Sequence, residues 1–163
     1  MSKLLNEGNA NPALDGTYDY KLVKRWSKKV PGKDLFNLDK IFFPINQGGM
    51  HWVTVVAYMQ KKRIQFYDSL GSPGNHYLQH VFQYLQDDHL DKKKRPMDTT
   101  GWELVPCDGP STPRQLNGYD CGVFTCMFCD FLSMNYPLVF NQDHITQCRE
   151  RIAFGVLNGR AMV

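Results

Sequence analysis

The spacing of hydrophobic positions changes several times along this chain. KIFFPI (40–45) and WVTVVAYM (52–59) are rich in β-branched and aromatic residues and predict strands. The second is apolar at both parities, as a strand covered on two faces should be. Polar QKK (60–62) breaks the run, and RIQFYDSLG then alternates, with Ile64, Phe66 and Asp68 on one face and Gln65, Tyr67 and Ser69 on the other. The two segments predict a β-hairpin. HYLQHVFQYLQ (76–86) puts Leu78, Val81, Phe82 and Leu85 on one helical stripe, with Ser72-Pro73 as its start and the KKKRP run at 92–96 as a solvated loop beyond its end.

WELVPC (102–107) alternates again, and turn-rich DGPSTPRQLNG leads into VFTCMFCDFLSM, apolar nearly all round, the pattern of a buried helix. HITQCRERIAFGVL predicts a last amphipathic helix with Ile145, Cys148, Ile152 and Val156 inward. Ahead of the strands, residues 1–16 carry an apolar patch at Leu4 and Leu5 and then Asn, Pro and Gly, a frayed end or a fragment of helix. YDYKLVKRWSKK (18–29) predicts a surface helix with a cationic face, anchored by Trp26 and ended by Pro31 and Gly32. With no internal repeat or low-complexity segment, the order of elements predicts an α+β fold, a helix buried against a sheet.

Composition narrows the class. The 163 residues are 42% hydrophobic and 13% aromatic, enough for one core, so residues 1–163 are expected to form one domain. A net charge of +3 falls short of nucleic-acid-binding basicity but suits a partner with an acidic face. No apolar stretch approaches the roughly 20 residues that span a bilayer, and no signal-like segment opens the chain, so a soluble, intracellular protein without membrane partners is expected. Five cysteines, an odd number with no regular framework, read as free thiols in a reducing compartment.

The chemistry concentrates in QLNGYDCGVFTC (115–126), where Cys121 opens the buried helix. A thiol acts as a nucleophile only as thiolate, and a helix N-terminus or a neighbouring imidazolium lowers its pKa from about 8.5. Asn117-Gly118 and Gly122 leave the sulfur uncrowded and its backbone N–H approachable. His51 stands just before the first strand of the hairpin and Asp68 ends the second. Antiparallel pairing about a turn near residues 59–62 therefore delivers imidazole and carboxylate to one end of one sheet. Asp68 can then fix the tautomer of His51 while the other ring nitrogen faces sulfur. Gln115, six residues before Cys121, offers a side-chain amide to share a developing oxyanion with the Cys121 N–H.

Two metal readings compete. Cys121, Cys126 and Cys129 spell C-x4-C-x2-C, a ferredoxin-type spacing with Cys148 as a fourth ligand. On a helix, however, Cys126 and Cys129 point about 140° and 80° away from Cys121, whereas cluster ligands must converge. His76 and His80 sit i, i+4 on a helix but lack a third ligand nearby, so surface histidines are the expectation and no metal site is assigned.

VKRWSKKV, FFPIN, HWVTVV, YDSLG, PRQLNGYDCGVFTCMFCDF and FNQDHITQCRERIA together resemble the SUMO-specific (sentrin-specific, Ulp-type) cysteine proteases of the adenain-like group in the papain-like clan. The resemblance implies a central mixed β-sheet packed against helices, the nucleophile opening a buried helix. It implies His51, Asp68 and Cys121 as a triad, Gln115 in the oxyanion hole, and no metal or organic cofactor. It also implies a peptidase and isopeptidase that cleaves after the C-terminal Gly-Gly of a SUMO-like modifier, acting as a monomer in the nucleus. By position Trp52 would line the tunnel for the Gly-Gly tail, and Arg25 would meet the modifier's acidic face. Alternatives within the resemblance are a protease for another ubiquitin-like protein such as NEDD8, acyl transfer by the same triad, and a non-catalytic SUMO-binding module. Two departures stand out. Family domains usually begin earlier, with a second tryptophan covering the tunnel, so a truncated domain or a tunnel open on one side is expected. The loop NQGGMH has an extra glycine before His51.

Overall fold

The run that is apolar at both parities becomes the second strand of a four-stranded sheet in the computed structural model, which describes residues 18–159 except 31, 33 and 108. The expectations for residues 1–16 and for Pro31 lie outside these. Strands β1 (Lys40–Gln47), β2 (His51–Tyr58), β3 (Arg63–Tyr67) and β4 (Glu103–Val105) lie side by side in chain order. The first three are antiparallel neighbours, and β4 runs parallel to β3, so the sheet is mixed. The tight return from β1 to β2 needs left-handed backbone, which Gly48 (φ 55) and Gly49 (φ 77) supply without a Cβ clash.

Both faces of the sheet are covered. Val53, Val55, Ala57, Ile64 and Phe66 pack with Leu78, Val81 and Leu85 of the long helix α2 (Asn75–Lys93). Val56 and Tyr67 face the other way, onto Phe124, Met127 and Phe128 of α3 (Cys121–Ser133) and onto Ile145 and Cys148 of α4 (Ile145–Leu157). This is the physical reason β2 lacks a polar face. Phe66, Phe124 and Phe128 are fully buried; truncating any one to alanine is expected to cost about 3–5 kcal/mol.

Four expectations are corrected. The segment 18–29 is not one helix: α1 spans only Tyr20–Val23, and a 3₁₀ turn follows at Trp26–Lys29. Tertiary contacts set this shape, because buried Ser27 donates to Asp88 and Trp26 packs against Phe43 and Tyr84. Helix α2 starts after Gly74 rather than at Ser72-Pro73. Gly74 has φ +65, and a Cβ there would collide with the Phe66 ring. The helix also absorbs Lys92 and Lys93 of the basic run, where cations complement the carbonyl end. The strand read at 102–107 shortens to Glu103–Val105, since Trp102 turns onto Phe82 and Cys107 turns inward, its thiol donating to the Asp68 carbonyl at 3.5 Å. In α4, Ile145 and Cys148 are buried as expected and Ile152 partly so, but Val156 is 76% exposed with Phe154 and Leu157 beside it. An apolar stripe buries only where another element lies against it, and the last turn has no such cover among the described residues.

Candidate active site

His51 opens β2 and Asp68 follows β3 directly. Ladder pairing between these strands starts at Thr54 opposite Tyr67, so the two residues lie just off the end of the ladder. Their side chains close the gap, with His51 Nε2 2.7 Å from Asp68 Oδ1. Asp68 thereby takes Nε2, which leaves Nδ1 as the ring nitrogen to serve a thiol.

The Asp68 carboxylate is 1% exposed and saturated with donors. Leu70 N–H gives 2.8 Å to Oδ1, while Ser72 N–H (3.0 Å) and Ser72 Oγ (2.5 Å) go to Oδ2. Burial by itself raises a carboxyl pKa, but the bonds from Ser72, Leu70 and His51 outweigh it and hold Asp68 below its ordinary value. The group stays anionic, as a partner for an imidazolium must.

Three links gather the remaining residues. Ser69, next to Asp68, donates its hydroxyl to Gln115 Oε1 at 2.6 Å and accepts the Gln115 N–H on its carbonyl at 3.1 Å. Gln115 is thus fixed, 7% exposed, with Nε2 donating to the Asn117 carbonyl at 2.5 Å and its second amide hydrogen uncommitted to that bond. Cys121 begins α3, and its successor Gly122 abuts Trp52, the residue after His51. A Cβ placed on Gly122 would lie 3.6 Å from Trp52 Cδ1. The chain neighbours of the imidazole and of the thiol therefore lie close together and line one groove.

Cys121 is 6% exposed, and its successor Gly122 lines an open groove with Pro44, Trp52, Tyr119, Arg149 and Ile152. Trp52 is half-buried, one wall of that groove. Arg25 is exposed at the start of the Trp26–Lys29 turn and makes none of the bonds that join the other residues. The cysteines of the ferredoxin-type spacing diverge: Cys126 is exposed, and Cys129 packs 3.8 Å from Thr54 Oγ1, its thiol pushed up to about 11 by burial. His76 lies against Tyr77, and burial lowers the pKa of both His76 and His80. Among the described residues no three His, Cys, Asp or Glu side chains converge on a point, and no helix is long and apolar enough to cross a membrane.

The sequence reading missed a second layer. Ser69 and Ser72 anchor Gln115 and Asp68, and Asp120 links the 115–120 turn to the C-terminal helix region. An Asp followed four residues later by Ser across Gly is a signal for a turn closed by the carboxylate, and Ser72 closes this one on Asp68 rather than opening a helix.

A thiol that opens a buried helix and an imidazole–carboxylate pair at the end of a mixed sheet, with their chain neighbours Gly122 and Trp52 lining one groove, are the parts a cysteine protease requires. The sequence profile of the Ulp1 protease family, C-terminal catalytic domain, matches residues 6–158, and the chain belongs to that family. It is 34% identical over 139 residues to sentrin-specific protease 2 of Homo sapiens, covering 85% of this chain and 23% of that protein. It is 36% identical over 143 residues to the sentrin-specific protease of Caenorhabditis elegans, covering 88% and 20%. The chain thus spans about a quarter or less of the length of these curated relatives. Among solved structures it is similar to the Ulp1 protease domain in complex with Smt3, the yeast orthologue of SUMO, with a TM-score of 0.69 and 33% identity over 85% of this chain and 61% of that one. It is similar too to the Ulp1-like SUMO protease catalytic domain of Chaetomium thermophilum, with a TM-score of 0.67 and 25% identity over 77% and 48%. The α+β protease fold expected from the sequence is the fold found.

Proposed function

We propose that the chain is a cysteine protease and isopeptidase acting after the C-terminal Gly-Gly of a SUMO-like modifier. The observation that carries this reading is the His51–Asp68 hydrogen bond together with the groove that Trp52 and Gly122 line jointly, in a chain whose family members include proteases named for sentrin or solved with a SUMO orthologue. In this mechanism the Cys121 thiol gives its proton to His51 Nδ1 and its sulfur attacks the scissile carbonyl carbon. The resulting oxyanion is received by the Cys121 N–H and the Gln115 amide. As the C–N bond breaks, the His51 imidazolium protonates the departing amine. Water, deprotonated by His51, then hydrolyses the thioester, which frees the modifier's carboxylate and restores the thiol. Asp68 holds His51 in the required tautomer throughout.

Trp52 is the tunnel wall for the Gly-Gly tail in this reading, and exposed Arg25 meets an acidic patch on the modifier. The reaction calls for no metal or organic cofactor. The protein acts as one domain and as a monomer, inside the cell and in the nucleus.

SUMO, NEDD8 and ubiquitin probes carrying a C-terminal electrophile test the reading. The expected outcome is a covalent adduct with the SUMO probe at Cys121, abolished by Cys121→Ser. Adduct formation with the NEDD8 probe alone would change the modifier but keep the mechanism. Tight, non-covalent SUMO binding with no adduct would make the protein a binding module.

A further inference from the structure

Asp120 immediately precedes Cys121 and holds the N-cap position of α3, yet its side chain caps nothing. An Asp at this position ordinarily accepts from the first free N–H groups of its helix. Here the carboxylate is turned away. Its Oδ1 pairs with Arg149 Nη2 of α4, and its Oδ2 accepts from Gln142 Nε2 at 2.8 Å and from Asn117 Nδ2 at 2.6 Å. Burial raises its pKa, and the bonds from Asn117, Arg149 and Gln142 outweigh that, so the group is a charged, nearly inaccessible anion one residue from the sulfur.

Gln142 acts twice, since its Oε1 accepts the Leu116 N–H at 2.8 Å. Asn117 Oδ1 in turn accepts from the N–H groups of Tyr119 and Asp120, both at 3.1 Å. The 116–120 turn is therefore fixed at both ends from the C-terminal region, with Gln115 at one end and Cys121 at the other.

We propose that Arg149 and Gln142 are positioning residues for the acyl-transfer reaction: they hold the Asp120 carboxylate off the N-terminus of α3. Two consequences follow. The Gly122 and Val123 N–H groups that an Asp120 cap would take are left free of it, so the helix terminus keeps its positive potential beside the Cys121 N–H that receives the oxyanion. The negative charge beside the sulfur is balanced by the Arg149 guanidinium, so that the helix terminus still favours a thiolate. Without the clamp, Asp120 swings to the cap that its position invites, and it competes with both anions the reaction must form.

The inference rests on the proposed protease reading, and its test separates the two. Wild type, Arg149→Ala, Arg149→Lys, Gln142→Ala, Asp120→Asn and the Arg149→Ala/Asp120→Asn double variant are compared by two measurements. One is turnover of a SUMO–aminomethylcoumarin amide. The other is the rate of iodoacetamide alkylation of the Cys121 peptide at fixed pH, read by mass spectrometry, which needs neither modifier nor oxyanion.

Expected for Arg149→Ala is a loss of kcat on the order of 10- to 100-fold with KM within about twofold, as for a misplaced oxyanion donor. Alkylation should slow on the order of threefold to tenfold. Arg149→Lys recovers most of both rates, and Gln142→Ala shows a smaller loss of kcat. In the Asp120→Asn background, removal of Arg149 changes either rate by less than about twofold, because there is no charge left to withhold.

An equal loss in both backgrounds would overturn the inference, as would a rise in KM with kcat intact, which would make Arg149 a substrate contact. Parallel loss of melting temperature and both rates without recovery in the double variant would reduce Arg149 to a structural role. If wild type turns over no SUMO substrate while alkylation follows the predicted cycle, the protease reading falls and the clamp stands.

Discussion

Asp68 and Asp88 are each 1% exposed, yet they are satisfied in opposite ways. Asp88, on α2, accepts on one oxygen from Tyr20 OH (3.1 Å), Ser27 Oγ (3.0 Å) and Lys92 Nζ (3.1 Å). Its charge is neutralised by a fixed cation, and all its partners belong to elements it staples together. Among the described residues Asp68 pairs with no Lys or Arg. Two backbone amides and one hydroxyl hold it, and its remaining contact is an imidazole whose charge can change. One buried carboxylate is used up in holding the N-terminal segment on α2, while the other is kept ionised and available to the His51 imidazole. Burial alone identifies neither role; the kind of donor does.

Removing the two carboxylates one at a time should sharpen this contrast most. Asp68→Asn is expected to lower kcat on a SUMO–coumarin substrate by about 10²–10⁴-fold, since the wrong imidazole tautomer results, while the protein still folds cooperatively. Asp88→Ala should do the reverse: about 2–4 kcal/mol less stability in urea unfolding, with turnover of the folded protein within about twofold. A large kcat loss for Asp88→Ala under conditions where it is folded would break the comparison.

Ser72→Ala comes next, with kcat reduced about tenfold and the acid limb of the pH–rate profile moved upward, because Asp68 loses the hydroxyl that helps hold its pKa down. The same depressed pKa predicts a stability signature. A carboxyl held below its ordinary value of about 3.9 stabilises the fold above that pH, and the contribution is lost as pH falls through the lower folded value. The melting temperature should therefore drop below about pH 4, and less steeply in Asp68→Asn. The smallest effect belongs to the bare end of α4, where Val156→Ser should change stability by less than about 0.5 kcal/mol, because that side chain is already in water.

Much of the site was legible before any coordinates. The period-two pattern through residue 68 and the return near residue 60 bring His51 and Asp68 to one sheet end, and the all-apolar stretch after Cys121 places the thiol at the start of a buried helix. The second layer was not legible. Ser69, Ser72 and Gln142 are common polar residues in polar surroundings, and Arg149 lies 29 positions from the carboxylate it meets. Nothing in local spacing distinguishes such a residue from a solvated one. The amphipathic reading of α4 failed at Val156 for a related reason, since periodicity gives the direction of a stripe but not the length over which something covers it.

The sequence by itself determined what depends on neighbours along the chain: the strand and helix periods, the hairpin that joins imidazole to carboxylate, the glycines that free the backbone at turns, and the thiol's place at a helix start. Only the tertiary structure decided which buried aspartate would be paired to a fixed cation, where helices would begin and stop, and that Asp120 would be drawn away from the helix it should cap. Those outcomes depend on donors supplied by distant segments, and a donor's worth to a buried charge is set by where folding delivers it, a quantity no local pattern encodes.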